Sequence, residues 1–153
     1  MKIRFPISLC AAALATTAFF SSVASAADAR VVEITANDQM KFSLATIEAK
    51  PGEQLKVVFK NVGTLPKQAM GHNWVLLKKG SDVMAFGGAA AGAAATEYIP
   101  AGQKDKIVAH SKLLGPKETS EVAFTVPSEA GDYPFLCSFP GHFALMKGML
   151  TVK

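Results

Sequence analysis

Along most of this chain, hydrophobic and polar positions alternate with the period of a β-strand rather than that of a helix. Val31-Val32-Glu33-Ile34-Thr35 is β-branched and partly alternating, and after the polar Asn37-Asp38-Gln39 the alternation resumes over residues 40–44. Lys50-Pro51-Gly52-Glu53 reads as a turn, and residues 55–60 as a further strand closed by Asn61 and Gly63. Residues 74–77, 106–110, 121–126, 133–137 and 149–152 complete the set. Short strands at this spacing, punctuated by Gly and Pro, predict an antiparallel sandwich or barrel. One stretch breaks the pattern. Residues 81–96 are rich in Ala and Gly, and Ser81 or Asp82 can cap a short helix there. Gly87, Gly88 and Gly92 each weaken such a helix by about 1 kcal/mol relative to Ala. The expectation is a short helix followed by a loose flap, inserted between strands.

The first residues have a different character. Lys2 and Arg4 precede an apolar run over residues 7–20, and Ala24-Ser25-Ala26 is a small-residue cleavage signal. This is the pattern of an export signal removed after Ala26, and the run is short for a membrane span. The expected product is a soluble, periplasmic single domain over 27–153, taken to be a monomer. The formal charge of +4 includes Lys2 and Arg4. What remains is mild and holds no basic stripe with interleaved aromatics, which argues against a nucleic-acid partner. Of the two cysteines, Cys10 lies within the signal and Cys137 remains. A lone thiol in an exported protein can form no internal disulfide and is a liability, so metal coordination is one physical reason to keep it.

Cys137 opens Cys137-Ser138-Phe139-Pro140-Gly141-His142-Phe143-Ala144-Leu145-Met146, with the histidine five positions on and Met146 four beyond that. A soft thiolate, an imidazole and a thioether on one short loop are ligand types of a copper site. Pro140-Gly141 forces a turn, so that all three can face one place at the end of a sheet. A trigonal copper site requires a second imidazole, and His72 in Met70-Gly71-His72-Asn73-Trp74 is the best candidate. The third histidine, His110, has no ligand-type neighbours and reads as a surface residue; Trp74 reads as core.

These two motifs, together with Asn37-Asp38-Gln39-Met40, Leu65-Pro66-Lys67 and Ala109-His110-Ser111-Lys112-Leu113, resemble the azurins, blue copper proteins of the cupredoxin fold. The resemblance implies an all-β, Greek-key sandwich or barrel of the cupredoxin type that carries one copper and shuttles single electrons. It implies His72, Cys137 and His142 as equatorial ligands, Met146 as a long axial ligand and the Gly71 carbonyl opposite. Asn73 would tie the two ligand loops through Ser138, and backbone amides near Asn73 and Phe139 would donate to the Cys137 sulfur. Met40, Leu65, Met70, Phe139, Pro140 and Leu145 would form an apolar docking patch over the edge of His142, the electron port. Partners would be redox proteins such as c-type cytochromes and periplasmic reductases, dehydrogenases or oxidases.

The sequence departs from the azurin pattern where a disulfide pins the first strand. Arg30 stands near its first position and no cysteine follows before Gly52, so packing or turns must substitute. The titrating histidine that azurins often carry before Leu-Pro-Lys is absent from Asn61-Val62-Gly63-Thr64. Other readings are a zinc or copper-storage site, a thiol enzyme and a purely structural sandwich. Zinc prefers four strong ligands, which a distant Met does not complete. A catalytic thiol wants an open substrate position and an acid/base pair, and neither is evident.

Overall fold

The computed structural model describes residues 29–153; the expected signal segment, residues 1–26, lies outside them. Two sheets face each other. In the first, β1 (Arg30–Ala36), β3 (Gln54–Asn61) and β6 (Thr119–Thr125) lie in the order β1-β3-β6. In the second, β2 (Thr46–Ala49), β8 (Lys147–Val152), β7 (Gly131–Leu136), β4 (Val75–Leu77) and β5 (Ile107–His110) lie in the order β2-β8-β7-β4-β5. The predicted sandwich is present, but its pairing is mixed: β1 runs parallel to β3 and β2 parallel to β8, where an antiparallel arrangement was expected. β4 with β5 and β7 with β8 are sequence neighbours paired antiparallel, whereas the two parallel pairs join strands that are not consecutive and require the chain to cross between sheets.

The alternation in β3 sends Leu55, Val57, Phe59 and Asn61 inward. The first three meet Ile34, Trp74, Leu76, Phe135 and Leu150 in the main core. Every residue of β4 and the last four of β7 are buried. These central strands are covered on both faces, which erases the alternation. Their outward side chains, Val75, Leu77 and Leu136, form a second cluster with Phe86 and Ile99. Phe86 belongs to α2 (Val83–Ala90), so the Ala/Gly-rich insertion is a lid on the outer face of the sheet. Asp82 caps it, its carboxylate accepting from the N–H groups of Met84 and Ala85 at 2.8 and 3.0 Å.

Residues 40–44 are not a strand; Phe42 makes only an isolated bridge to Ala36. Asn37 accepts from Gln39 N–H through its side chain and from Met40 N–H through its carbonyl. This turn drives Met40 to φ 54°, which breaks the extended run. The strand at this edge is instead β2, whose Glu and Ala give a weak β signal.

Arg30, near which the azurin resemblance implies a disulfide, ties the first strand down through its side chain. Its guanidinium donates to Glu53 Oε1 at 2.5 Å and to the Glu48 carbonyl at 2.7 Å, while Glu53 Oε2 accepts from Lys50 N–H at 2.8 Å. The start of β1 is thereby stitched to the turn between β2 and β3. The pair is partly exposed, so its contribution is modest and falls with salt. Arg30→Ala is expected to destabilise the protein by roughly 1 kcal/mol in urea denaturation at low salt, and by clearly less at about 1 M salt. An unchanged midpoint at low salt would remove Arg30 as a substitute for the disulfide.

Candidate metal centre

Two loops at one end of the sandwich carry the donor residues. After α1 (Lys67–Met70), Gly71 is buried and extended; a Cβ there would lie 2.6 Å from the Lys67 carbonyl and 3.2 Å from both methyls of Leu113. Only glycine admits this approach, and it delivers His72 inward. His72 is then held on both sides by Leu114, through backbone bonds of 3.1 and 2.7 Å. Cys137 follows β7, and its N–H donates to the Met146 carbonyl at 2.9 Å, closing the second loop at its base. Gly141, at φ 81°, takes the left-handed turn that the Pro-Gly pair requires, and a 3₁₀ turn over His142–Ala144 follows. His142 N–H bonds back to the Phe139 carbonyl at 3.0 Å.

His72, Cys137 and His142 are all buried, and their donor atoms lie within 4.8 Å of one another. Cys137 Sγ is 3.9 Å from His72 Nδ1 and 3.7 Å from His142 Nδ1. A metal bonded to sulfur at about 2.3 Å and to nitrogen at about 2.0 Å, with about 120° between them, would hold these atoms about 3.7 Å apart. Both sulfur-to-nitrogen spacings are therefore those of donors that share one ion. Met146 is fully buried beside them in the core cluster that includes Cys137.

The electrostatics point the same way. Burial pushes the Cys137 thiol up to about 12, although the backbone N–H groups of Asn73 and Phe139 favour the thiolate. Burial, reinforced by the neighbouring His72, holds His142 down to about 4. Burial also lowers His72, against the Asn37 carbonyl and the Asp38 carboxylate; its Nε2 has no partner of hydrogen-bond geometry. Two neutral imidazoles present lone pairs, and a bound cation supplies the charge that reverses the thiol's preference.

The loops are locked from outside. Asn73 Nδ2 donates to Ser138 Oγ and Ser138 N–H donates to Asn73 Oδ1, both at 2.8 Å. Asn73 Nδ2 also reaches the Glu97 carbonyl at 3.2 Å, and Ser138 Oγ donates to the Tyr98 carbonyl at 2.8 Å. Glu97 and Tyr98 are both left-handed, at φ 52° and 63°. Non-glycine residues rarely adopt this conformation, and two in succession mark local strain offset by what they bind. The flap expected to be loose is thus docked on both ligand loops. Its sequence holds no glycine at 97 or 98 to announce the turn, so nothing in the pattern points to these residues. Asp38 does the same for the facing loop: it accepts from Thr64 N–H and Oγ1 at 2.9 and 2.8 Å, and Gly63 leaves room for its carboxylate.

Of the expected surface patch, Leu145 and Leu65 are exposed, at 70% and 43%, while Met40, Met70 and Pro140 are half-buried. Phe139 is a correction. It is buried between Tyr98 and His142, at ring separations of 5.0 and 4.6 Å, and supports the site from below. Trp74 is in the core and His110 is exposed, as the sequence predicts.

A β-sandwich with a buried His, Cys, His and Met set at one end defines a copper-binding fold. Residues 29–153 match the family described as copper binding proteins, plastocyanin/azurin family, and the chain belongs to it. The azurin of Bordetella pertussis is 44% identical over 91% of this chain and 93% of its own length. That of Pseudomonas fluorescens biotype C is 42% identical over 80% and 97%. Among solved structures, an azurin from Methylomonas sp. strain J superposes with a TM-score of 0.71 at 32% identity, over 80% of this chain and 97% of that one. Auracyanin A, a blue copper protein from Chloroflexus aurantiacus, gives 0.73 at 33% identity, over 81% and 98%.

The depressed imidazoles make a prediction about the metal-free protein. Its folded state resists protonation of His142 until about pH 4, whereas the unfolded chain takes up that proton near 6.5. The stability from this source is complete above pH 6.5 and is lost as pH falls toward 4. Between pH 7 and 5 the metal-free protein should lose roughly 2 kcal/mol, before most carboxylates titrate. Denaturant midpoints that coincide at the two pH values would contradict it.

Proposed function

We propose that this protein is a periplasmic carrier of single electrons in which His72, Cys137 and His142 would hold one copper, with the Met146 thioether and the Gly71 carbonyl as weaker ligands. The observation that carries the reading is the convergence of two imidazole nitrogens and one thiol sulfur, buried together, with both sulfur-to-nitrogen spacings suited to a shared ion, on loops tied by Asn73 and Ser138. When bound, copper supplies a one-electron couple whose two states prefer different ligands, soft sulfur for the lower and nitrogen for the higher. A mixed set suits both. The residues supply rigidity: Asn73, Ser138, Leu114 and the 3₁₀ turn restrain the donors, so little rearrangement accompanies a change of charge. Phe139 and the surrounding core exclude water from the sulfur.

The half-exposed Met40, Met70 and Pro140 and the exposed Leu65 and Leu145 support docking of redox proteins, c-type cytochromes on one side and periplasmic reductases, dehydrogenases or oxidases on the other. Small apolar contact surfaces of this kind suit encounters that form and dissolve quickly. The bacterial export pattern in residues 1–26 supports a periplasmic location, with 27–153 as the one copper domain. Among the described residues no helix is long and apolar enough to cross a membrane.

Titration of the purified protein with Cu(II), alongside Cys137→Ser, tests the reading. An intense blue thiolate-to-copper band, absent from the variant, is expected. A colourless protein, or a weak band that survives the substitution, would turn the assignment toward zinc or toward no metal at all.

A further inference from the structure

α2 contains two successive glycines, and their surroundings differ. A Cβ at Gly88 would meet nothing within 4 Å. A Cβ at Gly87 would fall on the ring of Phe143, against Cγ and 2.5 Å from both Cδ atoms. Real Cβ atoms essentially never come so close, so the helix backbone lies directly on this ring. Neither glycine has a positive φ, so the requirement at Gly87 is one of space rather than of backbone conformation.

Phe143 adjoins His142 within the 3₁₀ turn His142–Ala144. Its ring does not join the core that holds Cys137 and Met146. It packs instead against the separate cluster of Val75, Leu77, Phe86, Ile99 and Leu136, under α2. The imidazole is therefore held from two directions. Phe139 touches its ring from the main core at 4.6 Å, and Phe143 anchors the adjacent backbone in the outer cluster. The carbonyl of His142 accepts from the N–H groups of Leu145 and Met146 at 3.0 and 2.7 Å, so the same turn also sets where Met146 begins.

We infer that the contact between Gly87 and Phe143 sets the position of His142 relative to Cys137, which makes both of them positioning residues for the copper site. The inference rests on the copper-carrier reading. Well-packed interiors transmit small displacements rather than absorb them. A methyl group at position 87 must displace either the helix or the ring. The helix is held by Asp82 at its start and by Phe86 in the cluster. The ring is one residue from the imidazole, so its displacement passes through the turn to Nδ1 and to the Met146 backbone. The aromatic ring at 143 and the missing side chain at 87 are complementary, and neither works without the other.

The test uses the full-length mature protein loaded with Cu(II), as wild type, Gly87→Ala, Gly88→Ala, Phe143→Ala and the double variant Gly87→Ala with Phe143→Ala. Copper hyperfine splitting in electron paramagnetic resonance, the position of the blue band and the rate of copper loss to a chelator are the readouts. Gly88→Ala should match wild type in all three, because its methyl group enters open space. Gly87→Ala should change the hyperfine splitting and release copper several-fold faster. Phe143→Ala should also perturb the site, and adding Gly87→Ala to it should change nothing further. Wild-type spectra and retention in Gly87→Ala would overturn the inference, as would a Gly87→Ala effect of full size in the Phe143→Ala background. If Gly87→Ala does not fold, the comparison between Phe143→Ala and the double variant still decides. Should wild type give no blue band, the copper reading fails by itself. The contact is then read from the His142 imidazole resonances of the metal-free protein, which Gly87→Ala must shift and Gly88→Ala must not.

Discussion

The side chain of Asn73 joins two loops that the chain places far apart. It donates to and accepts from Ser138, so the loop bearing His72 and the loop bearing Cys137 and His142 behave as one body. An amide meeting a hydroxyl and a backbone N–H satisfies both of its ends inside a dry region, where a half-satisfied group would be costly. The other features of this end of the molecule build on that tie. The strained carbonyls of Glu97 and Tyr98 are aimed at its two members, and Phe139 beside Ser138 backs the imidazole of His142.

Burial creates the centre's chemical bias. A thiol and two imidazoles taken out of water resist charge, so the metal-free pocket is neutral and loses stability when protons or hydroxide force ionisation. A cation reverses that balance by pairing with the thiolate. Folding stability and metal binding are thus coupled through the same three side chains. Restraint by the surrounding loops, which burial also requires, is what a carrier needs if its ligands are to hold still while its charge changes.

The Ala/Gly-rich insertion belongs to this arrangement. It covers the outer faces of β4 and β7, the strands that lead from His72 and to Cys137, and it rests on Phe143 through Gly87. Its far end presents Glu97 and Tyr98 to the ligand loops. A segment with almost no polar side chains of its own is therefore ordered by what it covers. At the opposite end of the sandwich, Arg30 closes the start of β1 onto the β2–β3 turn by an ion pair and a carbonyl bond.

Period-two alternation, the turn signals and the Cys137-to-Met146 spacing were enough by themselves to determine a β-rich domain, most of its strands and the donor types of a soft-metal site. These are local properties, written into neighbouring residues. Tertiary structure alone decided the rest. Parallel pairing of β1 with β3 and of β2 with β8 depends on crossovers that no short window contains. The break at Met40 arises from a side-chain turn at Asn37 that outweighs the alternating pattern. Burial of Phe139 beneath the surface, the two left-handed residues of the flap and the fit of Gly87 to Phe143 all follow from contacts between segments distant in sequence. Packing chooses among conformations that local propensity leaves open, and it does so most where loops from several strands converge on one site.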